Sequence, residues 1–91
     1  MTDTPPPGTA PYHRTPTFTA ATVPAALTAE HSTKAGVWAL IHVEAGTLRY
    51  EEPRTGRVIN LTAGERALVA PQEVHCVTLE ADATFFVEFW R

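Results

Sequence analysis

The sequence contains one cysteine, Cys76, among its 91 residues. A single thiol excludes a disulfide framework and a cysteine-cluster zinc site, because both need several thiols. Basic residues are also few, with seven Lys and Arg against ten Asp and Glu and a net charge of −3. Nucleic-acid binding is therefore not expected, since phosphate neutralisation needs clustered cations and these are scattered. Site chemistry must come from histidines and carboxylates.

Long apolar runs are absent as well. No stretch of the sequence approaches the roughly 20 apolar residues of a membrane-spanning helix. The N-terminus also lacks the basic and apolar regions of a signal peptide. These absences predict a soluble protein of the cytoplasm with no membrane partner. The length allows one small domain with a modest core.

Proline is concentrated at the N-terminus, where five of the eight prolines lie within the first 16 residues. Residues 1–11 combine proline with Thr, Gly and Ala, a composition that buries too little apolar surface to offset the entropy of ordering. We expect a disordered tail over 1–11 and a folded unit over 12–91. The segment 12–18 is expected to lie as an extended edge beside a sheet, where proline is tolerated.

Most of the remaining chain has the pattern of β-strands. Short runs rich in Val, Ile, Leu, Phe and Tyr alternate with turn signals, a spacing typical of an all-β sandwich or barrel. One or two turns of helix are expected within 23–30, beginning at Pro24. About seven strands are predicted. Six of them span 37–43, 47–51, 57–61, 66–69, 74–79 and 84–90.

The last predicted strand holds a carboxylate in an apolar context. Alternation places Phe86, Glu88 and Trp90 on one face of that strand, and apolar side chains occupy the other face. An ionised carboxylate buried there costs on the order of several kcal/mol unless a cation or hydrogen bonds offset it. Most of the other acids, among them Glu51 and Glu52, are expected to lie in solvated turns.

Four histidines are the candidate ligands. We expect His75 to point into the core beside Glu88, either as a hydrogen-bonded core residue or as a metal ligand. His31 lies in a polar loop before the strand at 37, where it is either exposed or at the rim of a barrel. His42 is expected to face outward, and His13 to lie at the surface, where the N-terminal segment can cover a pocket.

An ordered series of short motifs in this sequence resembles a known family. The series is Tyr12-x-Arg14-Thr15-Pro16-x-Phe18, Val23-Pro24-Ala25-x-Leu27, His31-x-Thr33-Lys34-Ala35-Gly36-Val37-Trp38, Gly46-x-Leu48-x-Tyr50, Pro71-x-x-x-His75 and Phe85-Phe86-Val87-Glu88-Phe89. It is similar to the small cupin family associated with tellurite resistance, found as an N-terminal domain of some tellurite-resistance methyltransferases and as stand-alone bacterial proteins. Over 12–91 the resemblance implies a cupin fold, the double-stranded β-helix or jelly-roll barrel, which usually holds one divalent metal ion.

The usual cupin ligand positions are mostly lost in this chain. Counting back from Gly46 places Thr33, Ala35 and Ala39 where the first cupin motif has its ligands, and none of them binds as expected. Of the ligands of the second motif, His75 is retained.

Because the usual ligands are mostly lost, the resemblance leaves the hypothesis of a metal site with replacement ligands. His31, His75 and Glu88 would form a two-histidine, one-carboxylate face for Zn, Fe, Mn or Ni, with open positions for water or an anion. Such a site would also supply a cation for Glu88. The rival interpretation is a metal-free barrel in which Glu88 pairs with Arg14, Lys34 or Arg91.

Three classes of function remain open at this point. The first is a metal-binding cupin that takes a small molecule or oxyanion, linked by resemblance to tellurite resistance or related stress, with Lys34, Trp38, Tyr50 and Phe86 as candidate pocket residues. The second is an enzyme, an Fe(II) dioxygenase or a metal-dependent isomerase, with Tyr50 as proton donor and Lys34 as anion partner. The third is a metal-free structural or interaction module, in which the segment 12–18 or a second subunit of a homodimer covers the last strand.

Overall fold

The computed structural model describes residues 4–91, which form two antiparallel β-sheets. The strands are β1 (Pro11–Arg14), β2 (Phe18–Thr19), β3 (Trp38–Ala45), β4 (Leu48–Glu52), β5 (Arg57–Leu61), β6 (Arg66–Val69), β7 (Cys76–Leu79) and β8 (Thr84–Trp90). The first sheet has the order β1-β8-β3-β6, with β2 also paired to β8, and the second has the order β5-β4-β7. The predicted all-β class is confirmed, although within 4–91 the two sheets do not join into a closed barrel.

The helix in this part of the chain is a single turn, α1 (Ala25–Thr28). It begins directly after Pro24, whose ring fixes the backbone in a conformation suited to a helix start. The one or two turns predicted within 23–30 are confirmed. No helix in residues 4–91 has the length and apolarity needed to cross a membrane.

The pairing of the N-terminal segment with the last strand begins at a lower residue number than the composition predicts. Ala10 and Arg91 exchange backbone hydrogen bonds of 3.1 and 3.2 Å, and β1 begins at Pro11. Pairing therefore starts inside the range 1–11 that the composition assigns to a disordered tail. Residues 1–3 of that range lie outside the described part of the chain.

The segment 12–18 lies along the edge of the first sheet, as the sequence predicts. Between β1 and β2, Thr15 donates its backbone N–H to the carbonyl of Val87 at 2.9 Å. Its hydroxyl oxygen accepts the N–H of Val87, also at 2.9 Å. These two bonds hold the edge in place next to Pro16, which has no N–H to donate.

The core lies between the two sheets and follows the alternation of each strand. In β3, Ala39, Ile41 and Val43 point inward, whereas Leu40 and His42 point to the outer face of the first sheet. The buried cluster is completed by Leu48, Tyr50, Leu61, Ala67, Val69, Val77, Phe85 and Val87. Part of the space between the sheets remains open as a cavity.

Candidate functional site

The inner faces of the two sheets and the loop before β3 line a partly open cavity of about 490 Å³. Its apolar walls are formed by Leu27, Val37, Ala39, Ile41, Val77, Phe85, Val87 and Phe89. Its polar lining consists of Tyr12, His13, His31, Ser32, Thr33, Lys34, His75 and Arg91. No Asp or Glu of residues 4–91 lines it. The volume is in the range of small-molecule sites, and the ionisable lining is basic apart from the Tyr12 phenol.

His31 and His75 meet at the wall of this cavity. Their backbones form an isolated bridge with N···O distances of 3.0 and 2.9 Å, and their ring centroids are 4.1 Å apart. The Nδ1 of His31 lies 2.9 Å from the carbonyl of Ala29, and the Nδ1 of His75 lies 2.8 Å from that of Glu73. Because a carbonyl oxygen only accepts, each Nδ1 is the donor, and Nε2 is the nitrogen that remains for another contact.

His75 is the more enclosed of the two histidines, with 3% of its surface exposed. Burial lowers the pKa of His75, the hydrogen bond to the Glu73 carbonyl opposes this shift, and nearby His31 reinforces it. The ring is therefore neutral at pH 7. The expectation that His75 points into the core is confirmed.

Glu88 does not join the two histidines. It lies on the face of β8 opposite the cavity, where its Oε1 accepts a hydrogen bond from Trp90 Nε1 at 2.8 Å and lies 3.5 Å from His42 Nε2. The expected set of His31, His75 and Glu88 is thus not assembled. Alternation identifies the residues that share a face of β8, but the face that carries Glu88 is the outer one, where 23% of its side chain remains exposed.

The residues around the pair do not fit the three-ligand metal centre that the resemblance implies. Among residues 4–91, no group of three or more His, Cys, Asp or Glu side chains is placed to hold one ion. Catalytic zinc sites and non-haem iron sites commonly have three protein ligands. His31 and His75 supply two imidazole nitrogens, one fewer than that number.

Trp38 and Phe86, two of the expected pocket residues, do not line this cavity. Both lie on the outer face of the first sheet, where the His42 ring stacks on Phe86 at 4.6 Å and the Arg14 guanidinium lies 3.7 Å from the Phe86 ring centre. His42 Nε2 is buried without a hydrogen-bond partner among the described residues. Burial lowers the pKa of His42 in spite of the neighbouring Glu88 carboxylate.

Lys34 and Tyr50, the other two expected pocket residues, have different positions. Lys34 lines the cavity. Tyr50 is fully buried, with its ring centroid 5.8 Å from that of His75, and its hydroxyl donates a hydrogen bond to Glu52. Burial and this contact raise the pKa of Tyr50, so the phenol stays protonated.

Glu52 is the most buried carboxylate in residues 4–91, with 6% of its surface exposed. It accepts hydrogen bonds from the Tyr50 hydroxyl, from Thr55 Oγ1 at 2.9 Å and from Arg57 Nη1 at 3.1 Å. Burial by itself would raise the pKa of Glu52, but these donors and the Arg57 charge outweigh it and the pKa is lowered. The carboxylate is ionised and paired inside the fold.

The expectation of a solvated turn is wrong for Glu52. The alternation of Leu48, Tyr50 and Glu52 continues to the end of β4, so all three side chains point inward. The strand predicted from the sequence ends at residue 51 and so leaves Glu52 in the following turn, whereas β4 includes Glu52. Extending the alternation of this strand by one residue identifies Glu52 as an inward-pointing side chain.

Comparison with known proteins places this chain in a family. The TehB-like domain family matches residues 13–87. A protein from E. coli (strain K12), a target of the Northeast Structural Genomics Consortium, has a TM-score of 0.89 at 23% identity, over 97% of this chain and 95% of that one. TehB from Haemophilus influenzae has a TM-score of 0.81 at 25% identity, over 90% of this chain and 31% of TehB.

The first of these likenesses shows the fold alone, and the chain spans about a third of TehB. No curated protein matches the sequence. The family match nevertheless covers most of the chain, including all strands from β2 to β7 and part of β8. This protein therefore belongs to the TehB-like domain family, the tellurite-resistance-associated family that its motifs resemble.

Proposed function

We propose that this protein is a ligand-binding module whose cavity holds a small anion. The observation that carries the proposal is the charge of the side chains that line the cavity, which include Lys34 and Arg91 and no Asp or Glu among the described residues. A cleft lined by one sign of charge and low-dielectric walls concentrates ions of the opposite sign. Within residues 4–91, Lys34 and Arg91 form no salt bridge, so both charges are available to a ligand.

The cupin assignment is part of this proposal. Two facing antiparallel sheets with a cavity between them support it, and so does the order of the motifs along the chain. The family association makes tellurite one oxyanion to be tested. Tyr50 is the candidate proton donor of an enzyme, but its hydroxyl donates a hydrogen bond to Glu52. This contact favours ligand binding over catalysis as the function of the cavity.

Matched ligands test the proposal. We expect calorimetry to show that hexanoate binds more tightly than hexanamide, which has nearly the same shape without the charge. Lys34→Ala and Arg91→Ala should each weaken hexanoate binding by about five- to tenfold, because each removes a charge-assisted contact. Arg49→Ala is the control, since Arg49 is exposed and paired with Glu51.

Equal binding of hexanoate and hexanamide would contradict the proposal. So would an Arg49→Ala variant that loses as much affinity as the two cavity variants. Circular dichroism of each variant checks that the fold is intact.

A divalent metal ion is the second candidate occupant. The supporting observation is that Nδ1 of His31 and of His75 donates to a backbone carbonyl, the arrangement that orients metal-binding imidazoles and leaves Nε2 free. Zn, Ni, Fe and Mn are the ions to consider, with the remaining ligands coming from water or the bound anion.

Dialysis against Zn²⁺ followed by elemental analysis tests this candidate. We expect His75→Ala to lose bound metal, and His42→Ala and Glu88→Ala to retain it because both side chains lie on the outer face. Metal loss in Glu88→Ala, or full metal retention in His75→Ala, would overturn the two-histidine site.

A further inference from the structure

We infer that the anion bound by this cavity is an organic acid with an apolar body, rather than a bare inorganic oxyanion. The inference rests on the proposed function and specifies its ligand class. It depends on the cavity's size, the composition of its walls and the position of its charges along the first sheet.

The cavity is too large for an oxyanion alone. At about 30 Å³ per water molecule, 490 Å³ corresponds to about sixteen waters. Tellurite has four non-hydrogen atoms and would displace only about a quarter of that volume. The rest of the cavity would stay filled with water against apolar walls, which is unfavourable.

Apart from His75, the most buried residues of the lining are apolar side chains of the core. Ala39, Ile41, Phe85 and Val87 are each at most 6% exposed, and all four line the cavity. An inorganic anion would lose hydration against these side chains without gaining hydrogen bonds. A hydrocarbon body would instead cover them and release the poorly bound water.

The strand register separates the charges from the apolar depth. Trp38, the first residue of β3, pairs with Trp90, the last residue of β8. Lys34 precedes β3 and Arg91 follows β8, so both basic residues belong to the same end of the first sheet.

The N-terminal strand contributes to this same end. His13 pairs with Phe89 in register and stacks on its ring with centroids 5.9 Å apart. Tyr12 lies under the Arg91 guanidinium, 4.0 Å from the ring centre, which holds that cation near the cavity. Basic side chains of three segments therefore gather at this end.

The apolar walls extend away from that end. Ile41 pairs with Val87, and Val43 pairs with Phe85, successively further along β3 from Trp38. The cavity is thus amphipathic along its length. A carboxylate at the basic end would place an attached hydrocarbon chain toward Ile41 and Phe85.

A series of straight-chain carboxylates tests the inference, because the head group is constant and the body grows. We expect calorimetry to show an affinity that rises from acetate through butyrate and hexanoate to octanoate, by about fourfold for each methylene that becomes buried. Tellurite should bind more weakly than octanoate.

A variant that reduces the cavity gives a second test. Val87→Phe should weaken octanoate by at least tenfold and leave acetate within about twofold, since Val87 pairs with Ile41 and the larger side chain fills the depth and not the basic end. If Val87→Phe does not fold, Val87→Ile should show the same pattern with a smaller loss of octanoate affinity.

The outcomes separate the inference from the proposed function. If no carboxylate and no tellurite binds at any length, both are overturned. If acetate or tellurite binds as tightly as octanoate, anion binding stands and the apolar body is rejected. If Val87→Phe weakens acetate and octanoate equally, the placement of the hydrocarbon chain in the cavity is rejected.

Discussion

Glu52 shows what a single buried charge requires of this fold. Its carboxylate is surrounded by Tyr50, Thr55 and Arg57, and each of them donates to it. Removing the carboxylate leaves a buried phenol and a partly buried guanidinium without their partner, whereas the hydrocarbon packing changes little.

We expect Glu52→Ala to lower the free energy of unfolding by about 2–4 kcal/mol in urea denaturation. This loss of stability is smaller than the largest expected for a fully buried ion pair, because 34% of the Arg57 side chain is exposed. Glu51→Ala is the matched control, since the Arg49–Glu51 pair is exposed and should contribute at most about 1 kcal/mol. Equal losses for Glu51 and Glu52 would contradict the assigned network.

The same contact gives a pH dependence of known sign. The pKa of Glu52 in the folded protein is lowered from its ordinary value of 4.5. Its contribution to stability is therefore complete above that value and is lost as the pH falls through the lowered pKa. The difference between the parent and Glu52→Ala should shrink as the pH drops below 4.5, and a difference that stays constant to pH 3 would contradict this prediction.

At the scale of elements, the turn between β3 and β4 depends on Gly46. Its φ is +68°, and a Cβ at this position would lie 2.7 Å from backbone atoms of Asp82 and Ala83. Gly56, between β4 and β5, also has a positive φ of +75° but nothing within 4 Å of such a Cβ. The two glycines thus share backbone conformation and differ in the space around them.

This pair of glycines allows a controlled comparison. Gly56→Ala should lower the free energy of unfolding by about 1–2 kcal/mol, the cost of a left-handed conformation. Gly46→Ala should cost at least about 1 kcal/mol more, because the turn between β7 and β8 has to shift. Thermal unfolding of both variants checks this expectation, and equal losses would rule out the close approach to Ala83.

Strands were the most predictable elements of this fold. Alternation and turn signals locate the six strands from β3 to β8 within two residues at either end, because each strand buries one face and ends at a polar turn. A difference of one residue in a strand boundary changes the predicted position of a single side chain, as it does for Glu52. Alternation also does not say which face of a strand points toward the core. For this reason the sequence predicts Glu88 on the inner face of the sheet, whereas it lies on the outer face.

For the whole molecule, the functional site depends on contacts that no local pattern contains. His31 and His75 are far apart in sequence and meet through one isolated backbone bridge. The sequence predicts both as ligand candidates, but their partnership without Glu88 depends on how the two sheets face each other. The cavity volume and the gathering of Lys34 and Arg91 at one end likewise follow from strand register.

The most direct test of an anion site in this cavity is a map of backbone amide shifts by ¹H–¹⁵N NMR during titration with octanoate. We expect the largest shifts at the basic end and along the apolar depth, at Lys34, Ala39, Val87 and Arg91, with little change at His42 on the outer face. Shifts concentrated at His42 and its neighbours on the outer face, or no saturable shifts at all, would contradict the assignment of the cavity as an anion-binding site.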